Sequence, residues 1–353
     1  MKVEIDIKRC TKIGLVFFSI TAVLWLLSAC SDDAPQQDGL EDARIELRAF
    51  TRVDDEGEEL EEHADKANIH VFLYNDENGG STPEGMFLYH EDEDIHYWTA
   101  QDLKVKPGTR KFYLFGYMPQ IDGYSGTINV NERQLTLTGI EPMTPNDICV
   151  VTGVSKSAVA AMPLRGSYDF DYVNSAYNER TILNLRLEHL FGRLLFKFKV
   201  GAKYSALRQI KVKTLKIDTK TYNSISATIN LPKNKDDVIT VDYSGTGEKT
   251  WESDLLKSDQ EPVLLSTTAV AVGSSINVAV GGGLSEQYEL VSTFDVYDLQ
   301  GHKLSERTAR NKLKDVLPVK SQVKEVVLTI EPTYLYQLGD DDLDNPEVII
   351  NNE

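Results

Sequence analysis

From residue 43 onward, apolar and polar positions alternate with a period of two. In "NIHVFLYN", Ile69, Val71 and Leu73 share one parity, and in "KFYLFGY", Phe112 and Leu114 oppose Tyr113, Phe115 and Tyr117. "ILNLRLEHL" sets Leu183, Leu185 and Leu187 against Asn184, Arg186 and Glu188, and "LLFKFKV" sets Leu194, Phe196, Phe198 and Val200 against Lys197 and Lys199. Successive side chains on a strand point to opposite faces, so each segment predicts a strand with one apolar face and one polar face. "ISATINL", "SINVAV", "STFDVYD" and "KEVVLTI" predict more of the same. Turn residues punctuate the series in "NDENGG" from Asn75, "VKPGTR" before Lys111 and "LQGHK" after Asp298. Past the first 30 residues, no segment carries the 3.6-residue period of a helix over three turns. Strands that are apolar on one side pack face to face, which predicts an all-β chain of antiparallel β-sandwiches with polar faces outward.

The stretch "MPLRGSYDFDYVNSAYNER", Met162 to Arg180, breaks the alternation and places a boundary near Leu183. Two tandem sandwich domains are expected, over residues 43–182 and 183–353. The strand "ARIELRAF" opens the first of them. Ile45, Leu47 and Ala49 share one face, Arg44, Glu46 and Arg48 share the other, and Arg52 falls just past the strand before an acidic run.

Residues 1–29 read as a signal peptide outside the fold. Lys2, Lys8, Arg9 and Lys12 form a basic start, and Ile13 to Leu27 an apolar run of about 15 residues, short for a membrane span of about 20. "Leu27-Ser28-Ala29-Cys30" resembles the lipobox of bacterial lipoproteins, which implies lipid on Cys30 and cleavage by signal peptidase II. Residues 30–42 are polar and acidic and read as a tether. Ser31 after the cysteine resembles lipoproteins sent to the outer membrane, and "Ser31-Asp32-Asp33" the export signal of some Gram-negative anaerobes.

Charge and chemistry then exclude more than they include. The net charge of −18 becomes −20 once four basic and two acidic residues leave with the signal, and it repels nucleic acid over most of the surface. Cys10 leaves with the signal and Cys30 takes the lipid, so Cys149 remains alone and reads as a small buried hydrophobe. The six histidines lack metal-ligand spacing; "HEDEDIH", His90 to His96, and "GDDDLDNPE", Gly339 to Glu347, fit no zinc-helix or calcium-loop pattern and read as solvated acidic loops. "GTGEKT", Gly245 to Thr250, fails as a phosphate loop because Glu248 interrupts it. No cofactor, metal or catalytic residue is expected, and the chain reads as a non-enzyme.

Three runs together resemble the fimbrillin superfamily of type V pilus subunits and fimbrillin-like lipoproteins: "RAFTRVDDEGEELEEHADKANIHVFLYND", "VKPGTRKFYLFGYMP" and "LRLEHLFGRLLFKFKV". Arg186, His189, Gly192 and Arg193 occupy the last signature, with Gly192 where the family more often has Ala. The "PTYLYQLGDDDLDNP" ending is similar to fimbrillin-like lipoproteins as well. The resemblance implies two transthyretin-like sandwich domains in a fimbrial subunit at the outer membrane and cell surface of a Gram-negative bacterium. It also implies adhesion to a host or bacterial surface ligand, and other fimbrial subunits as partners. An Arg-specific surface protease would cut after Arg52 or Arg48, the first strand would leave, and a strand of another subunit would fill the groove. The donor would come from the C-terminal region, Lys324 to Ile330 or Thr333 to Leu338. The charges and Pro346 of "GDDDLDNPEVIINNE" suit a capped or solvated tail, which keeps a non-polymerising anchor open as the alternative. A glycan- or protein-binding surface lipoprotein is the other, with Trp98 and Trp251 as stacking platforms.

Overall fold

Alternation becomes structure almost everywhere it was seen. The computed structural model describes residues 44–52, 60–62, 67–74, 84–92, 95–100, 111–155, 173–174, 180–221, 223–231, 239–281, 283–332 and 343–351. All of them belong to one compact unit, Asp42–Glu353. The first strands are β1 (Arg44–Arg52), β2 (Leu60–Glu62), β3 (Ile69–Tyr74), β4 (Glu84–Asp92), β5 (Ile95–Ala100) and β6 (Lys111–Met118). There follow β7 (Ser125–Asn129), β8 (Gln134–Thr138), β9 (Met143–Thr144), β10 (Cys149–Ser155), β11 (Val173–Asn174), β12 (Arg180–His189) and β13 (Gly192–Val200). A single turn of helix, α1 (Ala202–Ser205), leads to β14 (Gln209–Thr221), β15 (Ser224–Asn230), β16 (Thr240–Thr246), β17 (Lys249–Leu256), β18 (Val263–Leu264), β19 (Val270–Ala271) and β20 (Ile276–Val278). The last are β21 (Glu289–Tyr297), β22 (Lys303–Lys312), β23 (Val323–Glu331) and β24 (Glu347–Asn351). Among the described residues, no helix is long and apolar enough to cross a membrane.

The first sheet runs β10-β12-β1-β5-β4-β3-β6-β11, with β2 beside β1. β10 also pairs with β6, Cys149 opposite Met118 and Val150 opposite Tyr117. The path therefore closes into a ring, a sandwich whose two edges are both paired. Ile69, Val71, Phe87, Trp98, Leu114, Met118, Cys149, Val151, Val154, Leu183, Leu185 and Leu187 form one buried cluster, and every one comes from a strand of the ring. The opposite parity, Phe72, Phe115, Tyr117 and Val150, joins a second core shared with the later sheets. Three sheets hold those later strands, in the orders β24-β23-β13-β20-β9, β17-β14-β21-β22 and β16-β15-β8-β7.

The strand β13 shows the expected pattern, alternately buried and half-buried over its whole length. Its neighbour β12 does not. Leu183, Leu185 and Leu187 are buried, but so are Asn184, Arg186 and Glu188, at 2%, 1% and 4% exposure. The polar parity, expected outward, is instead satisfied internally. Arg186 donates through Nη2 to Glu188 Oε1 at 3.0 Å and through Nε to Thr152 Oγ1 at 2.9 Å, and Lys320 Nζ lies 3.5 Å from the other Glu188 oxygen.

Residue 183 lies inside β12, whose pairing with β1 and β10 is in the ring. The chain leaves the ring after β6 for β7, β8 and β9 of the later sheets, returns at β10 and leaves again at Leu190–Phe191. Strands from either side of residue 183 share two sheets, through β8 beside β15 and β9 beside β20. Among the described strands, two pairings depart from the antiparallel expectation: β1 with β12, and β13 with β23, are parallel. Parallel neighbours require long connections, and more than a hundred residues separate the members of each pair. At Gly192, a Cβ would sit 2.5 Å from Pro318 Cγ and 2.7 Å from the Val319 oxygen, which accounts for glycine at that signature position.

The ending also differs from its expectation. Glu347–Asn351, whose charged surroundings read as a solvated tail, forms β24 antiparallel to β23, with Val348 buried. Tyr204 on α1 donates its hydroxyl to the Leu343 carbonyl at 2.5 Å, and Arg208 pairs with Asp344 at 2.8 Å, so two side chains fix the approach to β24.

Candidate functional site

The slot occupied by β1 is the candidate site. On one flank, β1 runs parallel to β12 from Arg44 opposite Arg180 to Thr51 opposite Leu187. On the other flank, Glu46 and Leu47 pair with Thr99 and Trp98 of β5, and Phe50, Thr51 and Arg52 pair with Glu62, Glu61 and Leu60 of β2. The first strand is therefore an interior member of the ring, not an edge strand. Its backbone groups engage partners on both sides, each hydrogen bond contributing about 0.5–1.5 kcal/mol.

The register ties Leu47 to Leu183 and to Trp98, and Ala49 to Leu185, three residues of the ring's interior cluster. Ile45 aligns with Thr181. The other parity puts Arg48 opposite Asn184 and Phe50 opposite Arg186, beside the buried Arg186–Glu188 ion pair. Neighbouring strands lie about 4.7–4.9 Å apart, so taking β1 out separates β12 from β5 by roughly 9–10 Å, the width of one strand. It also turns both into edges with unpaired backbone groups.

The sequence-predicted residues fall unevenly on this site. Ile45, Leu47 and Ala49 all lie on β1, and so does Arg48, in mid-ladder. Arg52, expected just past the strand, is its last residue and pairs with Leu60. Cys30 and the segment Thr333 to Leu338 lie outside the described residues. Lys324 to Ile330, offered as a donor, is interior instead. It belongs to β23, between β13 and β24, with Val326, Leu328 and Ile330 buried. In this arrangement its backbone groups already have partners on both sides within this chain.

Trp98 and Trp251, the stacking platforms of the alternative reading, do not form an exposed pair. Trp98 is fully buried, donates its indole N–H to the Ala67 carbonyl at 2.8 Å and meets Tyr89 edge-on at 5.5 Å. Trp251 is half-buried under Lys249, whose Nζ stands 3.7 Å from the ring centroid.

One constellation escaped the sequence reading. Asp147, Cys149 and His189 converge where the ring meets the following sheet. Cys149 Sγ is 3.4 Å from His189 Nδ1, and that nitrogen is 2.9 Å from Asp147 Oδ1. Arg193 Nη2 donates to Asp147 Oδ2 at 3.1 Å and its Nε to Asn277 Oδ1 at 3.1 Å. Forty residues separate Cys149 from His189, and only the β10–β12 register makes them opposite one another.

No protein-family model and no curated protein matches the chain. Among solved structures, it is similar to a fimbrial protein from Bacteroides vulgatus, with 15% identity and a TM-score of 0.41 over 87% of this chain and 98% of that one. It is also similar to the fimbrial anchor protein Mfa2 from Porphyromonas gingivalis, with 10% identity and a TM-score of 0.37 over 88% of this chain and 98% of that one.

Proposed function

We propose that this chain is a non-enzymatic surface protein of the fimbrial, adhesin-like kind, exported as a lipoprotein through Cys30 to the outer membrane and cell surface. Its chemistry is strand exchange: an Arg-specific protease cuts after Arg52, residues up to that point leave, and a strand from another subunit takes the slot. The observation that carries the reading is the position of β1, first in the described chain yet hydrogen-bonded on both flanks inside a closed ring. Filling a vacated slot by an extended segment restores both ladders at once, which is β-strand addition with the recipient preformed. Arg52 is preferred to Arg48 because it ends the ladder, whereas Arg48 is held in mid-strand opposite Asn184. The tandem-domain organisation, residues 43–182 and 183–353, belongs to the same proposal.

One observation favours an anchor that keeps its lipid and its first strand. The candidate donor Lys324–Ile330 is locked inside a sheet and the chain's own β24 covers it. Intact mass and N-terminal sequencing of the protein from surface fimbriae, beside Arg52→Ala and Arg48→Ala variants, separates the two. A new N-terminus at Val53, lost together with high-molecular-weight ladders in Arg52→Ala, supports exchange. A lipidated Cys30 on an uncut chain overturns it in favour of the anchor.

A further inference from the structure

We propose that Asp147, Cys149 and His189 form a zinc site at the end of the ring, a role independent of strand exchange. The three ligand atoms lie within 4.8 Å of one another: Sγ to Nδ1 3.4 Å, Nδ1 to Oδ1 2.9 Å and Sγ to Oδ1 3.9 Å. A tetrahedral ion with ligands at about 2.0–2.3 Å sets them roughly 3.3–3.6 Å apart, so each separation changes by only a few tenths of an ångström. Thiolate, imidazole and carboxylate together suit zinc. Calcium and magnesium take oxygen ligands instead.

The histidine nitrogen, the thiol sulfur and the carboxylate oxygen all face one small volume, with Asp147 Oδ1 within reach of both His189 Nδ1 and Cys149 Sγ. A cation between the three accepts an electron pair from each. Binding replaces the thiol proton: Cys149–SH and Zn²⁺ give the zinc thiolate and one H⁺, which passes to the buffer, while His189 carries its own proton on Nε2.

The surroundings hold the ligands in place. Asp147 keeps Oδ2 on Arg193 and turns Oδ1 to the histidine, so the guanidinium orients the carboxylate. Asn277, bonded to Arg193, also donates to the Pro145 and Asn146 carbonyls at 3.2 and 3.1 Å and pins the segment that carries Asp147. Ser321 donates to the His189 carbonyl at 3.1 Å. Cys149 is buried, whereas the side chains of His189 and Asp147 are 21% and 12% exposed, which leaves a solvent-facing side for a water as fourth ligand.

The test is titration of the full, reduced chain with Co²⁺, followed by displacement with Zn²⁺. One equivalent of Co²⁺ is expected to give a thiolate-to-cobalt charge-transfer band and the d–d bands of a tetrahedral ion, all abolished by one equivalent of Zn²⁺. Cys149→Ser removes the charge-transfer band. Because that substitution is in the core, His189→Gln and Asp147→Asn are measured as well, with circular dichroism as the check on folding, and each is expected to weaken zinc at least tenfold. Absence of the charge-transfer band in the folded, reduced protein overturns the site. So does a zinc affinity unchanged in both folded variants, which places the metal elsewhere.

Discussion

The first and last described strands make a natural pair. Among the described strands, β1 is enclosed by two neighbours in a ring, whereas β24 pairs with β23 at a sheet edge. Losing β24 moves an edge by one strand, whereas losing β1 creates two edges where the ring had none. What a strand contributes thus depends on how many neighbours lose a partner with it, and sequence position says nothing of that.

The sharpest way to break this comparison is to delete each strand. Without residues 44–52, the chain is expected to lose its folded monomer and to appear as oligomers or aggregate in size-exclusion chromatography. Without residues 347–353, it stays monomeric and loses about 2–4 kcal/mol in urea unfolding, from Val348 burial and one ladder. Equal losses for the two deletions would end the distinction.

Next in size are two substitutions beside the slot. Trp98→Ala leaves a cavity against Leu47's register position and is expected to cost about 3–5 kcal/mol. Glu188→Ala leaves Arg186 charged and buried, also at about 3–5 kcal/mol. Chemical unfolding measures both, and a loss below 1 kcal/mol for either would show that the ring yields easily there.

The alternation made β13 legible residue by residue, because one of its faces is wet. The same rule misread β12, since both of its faces are buried and Arg186 meets Glu188 in place of water. Nothing local announced that Arg44 would lie opposite Arg180, or Cys149 opposite His189. Register between segments so far apart is a property of the assembled sheet, so both the slot's enclosure and the Asp147 cluster stayed hidden. β24 was obscured by composition, its "VII" core outweighed by the acidic residues before it.

Smaller effects sharpen the β24 side. Tyr204→Phe deletes the hydroxyl that holds the Leu343 carbonyl and is expected to cost about 1 kcal/mol, read as a lowered urea midpoint and faster amide exchange in β24. No change in β24 exchange would detach the strand from that hydroxyl.

Smallest is a pH effect on β22. Lys213 and then Lys303 hydrogen-bond Glu306 and hold its carboxyl down from 4.5 to about 2. The folded state favours the charged form, so this contribution is complete above about 4.5 and fades as pH falls toward 2. Glu306 is exposed and the slope small. Glu306→Gln should flatten the dependence of the urea midpoint between pH 5 and pH 2.5, roughly the window the shift defines, and an unaltered slope would dismiss the network.

The closed ring has a consequence for mass action. While the bond between Arg52 and Val53 is intact, β1 competes for its slot at the local concentration of a tethered ligand, on the order of millimolar for a short flexible link. Were that one bond hydrolysed, the reference concentration would change: the same interactions that are a term in folding stability would become a dissociation constant, and the strand would leave wherever the surrounding solution was more dilute than that constant.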